Sequence, residues 1–176
     1  TVGKDAAITA HGTIDVHANA VLDGTAGAAA NGRKLIKAVS DAIPSAAVGY
    51  ARAENSAAVQ IDGNLTAKGE TVSSENNDNA AKGAVNISAY AEENLNNTAT
   101  MNLKSGALGA GSSVLAASVA VSDSKNNADV TINGTVAAGD AVIKADTKNA
   151  LVTSAATKAP DDTALATAVN VITHSG

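Results

Sequence analysis

The chain has 176 residues, of which 45% are hydrophobic and 16% charged, with a formal net charge of −5 and no cysteine. That balance excludes a disulfide scaffold and thiolate chemistry, and it disfavours nucleic-acid backbones and anionic membranes, which call for an excess of Lys and Arg. Aromatic residues make up only 1%, so a core built mainly from Ala and Val must be narrow, with its backbone walls close together.

Taken in chain order, the first element is VGKDAAITAHG, Val2 to Gly12. It recurs as VQIDGNLTAKG, Val59 to Gly69, and one residue shorter as VTINGTVAAG, Val130 to Gly139, at steps of 57 and 71 residues. Ile8, Leu65 and Val136 correspond, as do Ala10 and Ala67. A second element, Gly-x-apolar-x-apolar-x-Ala, runs Gly12, Ile14, Val16, Ala18. It returns at Gly83, Val85, Ile87, Ala89 and at Gly139, Ala141, Ile143, Ala145. A third element precedes the later copies. Val48 and Tyr50 lead to Asn55, Ala57 and Val59; Val119 and Val121 lead to Asn126, Ala128 and Val130. Val169, Asn170 and Val171 open one more copy.

Every copy alternates apolar and polar residues, the period of a half-buried strand. Ile8, Ala10, Gly12, Ile14, Val16 and Ala18 share one face, and Thr9, His11, Thr13, Asp15 and His17 share the other. Val59, Ile61, Gly63, Leu65 and Ala67 point inward in the second copy; Val130, Ile132, Gly134 and Val136 do so in the third. A slip of one residue would expose the whole apolar set. Asp62-Gly63 and Asn133-Gly134 read as corners, not hairpin turns. Strands of five to seven residues, joined at corners with no hairpin logic, predict an all-β fold: a right-handed parallel β-helix. A coil of roughly 20–25 residues would make each repeat two or three coils, and the chain about seven or eight.

The chain is expected to be a single solenoid piece over 1–176: opening on Thr1 with no signal-peptide pattern, it reads as processed or excised, and starting and stopping inside a repeat is what a piece of something longer would look like. Insertions are expected at about 23–45 and 70–83. Within the first, Leu35, Ile36, Val39 and Ile43 fall at helical spacing ahead of Pro44, so 33–43 reads either as a short amphipathic helix or as an irregular loop. Pro160-Asp161-Asp162 reads as a surface loop. Tyr50, aligned with Val121, is expected inside, and Tyr90 outside.

The run Ser118 to Asn149 resembles the repeats of large filamentous adhesins of Gram-negative bacteria, the filamentous-haemagglutinin-like and leukotoxin-type exoproteins. The pieces that carry the resemblance are Val119-Ala120-Val121, Asn126-Asn127, Val130-Thr131-Ile132-Asn133-Gly134, Ala138-Gly139-Asp140 and Ile143-Lys144-Ala145. Weaker versions cover Val48 to Gly69 and Val2 to Ala18. The resemblance implies a β-helical shaft exported through two-partner or autotransporter (type V) secretion. It implies a place on the bacterial cell surface or outside the cell, and a host receptor, matrix component or glycan as partner.

Little in the chain suggests chemistry. His11, Asp15 and His17 share an outward face, but same-face neighbours stand about 6.6–6.8 Å apart. Asp15 and His17 could share a metal only with help from the next coil. Asp140 and Asp146 could meet a calcium ion only by chance and read rather as a capped turn. Carboxylates are scattered, there is no nucleophile elbow, and Gly109-Ala110-Gly111 lacks the lysine of a phosphate loop. The sequons at Asn64, Asn86, Asn96 and Asn133 read as turn composition in a bacterial chain. No catalytic, cofactor-binding or metal-ligating residue is assigned, and no cofactor is expected. The chain is read as a monomeric structural or adhesive rod and not an enzyme. The rival readings are a β-helical carbohydrate-active enzyme and a trimeric adhesin head.

Overall fold

The computed structural model describes residues 1–32, 43–69, 82–103, 114–158 and 165–175. Every regular element among them is a strand. In chain order these are β1 (Ala7–His11), β2 (Thr13–Gly32), β3 (Ile43–Ile61), β4 (Asn64–Lys68), β5 (Ala84–Leu103), β6 (Val114–Ile132), β7 (Thr135–Ala137), β8 (Asp140–Lys158) and β9 (Leu165–Ser175). They form three parallel three-stranded sheets, β1-β4-β7, β2-β5-β8 and β3-β6-β9. The chain visits the sheets in that order and then begins again, so it makes three circuits, each lying on the last.

The sequence copies become the ladder partners. Ile8 pairs with Leu65 and Leu65 with Val136. Val16 pairs with Ile87 and Ile87 with Ile143. Val48, Val119 and Val169 stand in one row, and Tyr50, Val121 and Val171 in another. Val2 bridges Ile61 instead of its sequence counterpart Val59, a slip of two that keeps the same face inward. The physical cause of the register is the alternation itself: Val59, Ile61, Gly63, Leu65 and Ala67 are all buried, while Gln60, Asn64 and Lys68 are exposed.

Three expectations are corrected. There are three circuits, not seven or eight, because each repeat is one circuit. Its second and third strands run to 19 or 20 residues in the first two circuits. Gly24, Gly27, Gly49 and Asn55 lie within these long strands. The segment expected to loop out from about 23 is strand through Gly32, and Ile43, the last residue of the expected helix or loop, opens β3. Residues 33–42, 70–81 and the Pro160-Asp161-Asp162 loop lie outside the described residues. Tyr50 faces outward and is 60% exposed.

The core has two parts. Where the three sheets meet, Ile14, Val59, Ile61, Leu65, Val85 and Ile87 are buried in one cluster. Each side chain of this kind contributes about 1.5–3 kcal/mol when fully buried. Beyond it only the second and third sheets face each other, and the filling becomes small: Ala47, Ala51 and Ala53, with Leu95 and Met101 as the larger pieces. A side chain at Gly49 would come within 2.9 Å of the Thr98 carbonyl oxygen. The sheets approach closely enough there to exclude aromatic rings, which accounts for the composition.

Candidate interaction surface

The outward positions carry the groups able to meet a partner, and several are tied to the next circuit. Asp15, Asp23 and Asp62 of the first circuit each accept a hydrogen bond from an asparagine 71 residues on, Asn86 (2.7 Å), Asn94 (2.8 Å) and Asn133 (2.8 Å). Parallel stacking brings corresponding residues side by side, where two aspartates would repel. Replacing every second one with its neutral amide turns repulsion into a bond. Asn133 and Gln60 hold the Asp62 carboxyl below the usual aspartate range by bonding its charged form.

Charged pairs do the same work elsewhere. Lys148 donates to Glu92 at 2.7 Å, and Tyr90 Oη donates to the same carboxylate at 2.8 Å. The Lys148 and Tyr90 bonds depress the Glu92 carboxyl, while Glu92 raises Lys148. Arg52 pairs with Glu54 and lies 3.7 Å from Asp123 on the next circuit, and its guanidinium is raised, first by the Glu54 bond.

The residues singled out for chemistry do not converge. His11 stands beside Lys68 in the first sheet. Asp15 is bonded to Asn86, and His17 Nδ1 shares a 2.7 Å bond with Ser88 Oγ. Asp140 and Asp146 lie six residues apart along β8, about 20 Å at parallel-strand rise. No group of three or more His, Asp or Glu side chains suited to a metal occurs among the described residues. A shallow open depression of about 250 Å³ lies between His17, Asn86, Ser88, Val142 and Lys144. Of the sequon residues, Asn86 and Asn133 are the neutral partners of Asp15 and Asp62.

Two features were not anticipated, one outward and one inside. The rows Val48–Val119–Val169 and Tyr50–Val121–Val171 form an apolar patch across the third sheet, with Val48 61% and Val169 43% exposed. Beside it runs the polar row Arg52, Asp123, Thr173. Inside, a polar seam replaces the apolar filling along the second circuit: Glu93, Asn97, Ser118, Ser122, Ser124 and Asn126 are buried. Asn126 stitches it together. Its amide nitrogen reaches the Ala91 and Lys148 carbonyls at 3.0 and 3.1 Å and Asn149 Oδ1 at 2.8 Å, while Asn55 donates to its oxygen at 3.2 Å. Carrying the parity of Val59 and Ile61 back along the strand would have found both features: it puts Asn55 inside and Tyr50 outside.

No helix among the described residues is long and apolar enough to cross a membrane. No family model matches the chain, and no match was found among curated proteins or solved structures.

Proposed function

We propose that the chain is a section of a right-handed parallel β-helix, serving as a structural and adhesive shaft segment of a large bacterial surface or secreted adhesin. The observation that carries this reading is the in-register stacking of whole circuits, with corresponding residues paired row by row through all three sheets. Such a stack extends by adding circuits without changing its cross-section. Type V export and an extracellular place come with the adhesin resemblance. The partner is a host receptor, matrix component or glycan, and the apolar patch around Val48 and Tyr50 is the surface offered for attachment.

The test is saturable binding of the purified chain to host epithelial cells and to wells coated with matrix proteins. A Tyr50→Ser, Val121→Thr double variant, folded by circular dichroism, is expected to lose most of the binding. Equal binding by the variant would remove the patch from the reading, and no binding by the parent chain would remove the adhesive role. Turnover of acidic polysaccharides would instead favour a carbohydrate-active enzyme, and an obligatory trimer by solution mass would favour a trimeric head.

A further inference from the structure

Glu93 is the least expected side chain in the molecule. It is 0% exposed, and neither carboxylate oxygen has a hydrogen-bond partner among the described residues. No ion pair reaches it either: the described pairs are Arg52 with Glu54 and Asp123, and Lys148 with Glu92. Leaving an ionised carboxylate in that state costs several kcal/mol, so a buried charge of this kind calls for a counter-charge.

The cross-sheet bonds show what shares its layer. In the second sheet Glu93 stands between Leu22 and Asn149. Asn149 bonds Asn126 and His174 of the third sheet, and His174 Nδ1 lies 3.1 Å from Ser124 Oγ. Glu93 therefore faces the Ser124–Asn126 stretch, with Asn149 and the exposed His174 on its third-circuit side. The amide hydrogens of Asn126 are already committed, to two carbonyls and Asn149. Farther along the seam, about 13 Å from Glu93 at strand rise, Asn97 spends its own on Val121, Gly49 and Ser122, and its Oδ1 is a second buried oxygen without a donor. The seam is thus rich in acceptor oxygen and short of donors.

We propose that the interior of the second circuit binds a hard monovalent cation at Glu93. The carboxylate is the single charged ligand, and amide and hydroxyl oxygens of the same layer supply the neutral ones. One carboxylate balances one positive charge, so the site is neutral when filled; a divalent ion would leave a net charge buried in low dielectric. Oxygen donors of this type suit alkali and alkaline-earth ions and not thiophilic metals. The inference is independent of the shaft reading, and neither failure entails the other.

The test is thermal unfolding of the whole chain in NaCl, KCl or choline chloride at one ionic strength, with a CaCl2 arm. The midpoint is expected to rise saturably in NaCl or KCl over choline chloride, by about 3–6 °C for each tenfold of linked population. Glu93→Gln should abolish that difference. Glu93→Leu, which copies Leu22 in the same column, should unfold later than the parent chain in choline chloride and be indifferent to the ion. A parent midpoint that is the same in all monovalent salts overturns the proposal. So does a Glu93→Gln variant that keeps the response, or a response to Ca2+ alone.

Discussion

Corner residues show most directly how one atom sets the stacking distance. Gly134 lies over Gly63, and a Cβ built there would fall 1.8 Å from the Gly63 carbonyl oxygen. Backbone blocks that atom, so the circuits would have to part. Gly134→Ala is expected to cost about 1–3 kcal/mol in urea unfolding, whereas Gly3→Ala, with nothing within 4 Å of its Cβ, should change stability little. The sequence marked Gly134 as a corner through its alignment with Gly63. It marked Tyr50 wrongly. Its alignment with the apolar Val121 was read as core, yet the inward positions there are Ala47, Gly49, Ala51 and Ala53, because facing sheets this close admit only small groups. The apolar partner was a false guide, and parity counted from Val59 a true one.

Between strands, the outer ladders work by avoiding like charges. Asn94 donates to Asp23 at 2.8 Å and lies 3.4 Å from a Glu92 oxygen. Asn94→Asp would set a second carboxylate beside both. It is expected to lower stability by about 0.2–1 kcal/mol, with a loss that shrinks as salt is added; urea midpoints at low and high NaCl would check this. The Glu92–Lys148 pair across β5 and β8 sets a pH window. Glu92 is depressed in the folded chain, so its contribution is present above the ordinary glutamate value of about 4.3 and is lost as pH falls through the lower folded value. Lys148 is raised, so its contribution is present below about 10.4 and is lost as pH rises through the higher folded value. Melting midpoints across pH should therefore show stabilisation between those limits relative to Lys148→Met, and the two curves should converge in acid.

Across the whole molecule, protection should follow position in the stack. β5 is hydrogen-bonded on both sides, by β2 and β8, and its inward residues from Val85 to Met101 are buried. Among the described strands β8 has a neighbour on one side only, and its residues 140–150 are exposed. Hydrogen exchange followed by mass spectrometry should find the slowest amides in β5 and the fastest strand amides in β8 and β9. Equal exchange in β5 and β8 would mean that the chain opens as one unit. The proportions of the stack also follow from its strands. A 20-residue arm reaches about 66 Å, while each added circuit raises the stack by only about 4.7–4.9 Å. A stack of this section is broad, and it lengthens by little with each circuit.

What the sequence determined alone was the pairing. Copies 71 residues apart share one inward face, and a slip of one residue would turn that face outward, so the aligned copies pair, Leu65 with Val136 and Asn55 with Asn126. What only the tertiary structure decided was how much chain makes one circuit and what fills it. A glycine or asparagine within an alternating run can mark a corner, as at Gly63 and Gly134, or a close approach of two facing sheets, as at Gly49 and Asn55. The local pattern is the same in both cases. The difference lies in which backbone stands opposite, and that is set by packing between segments far apart in the chain.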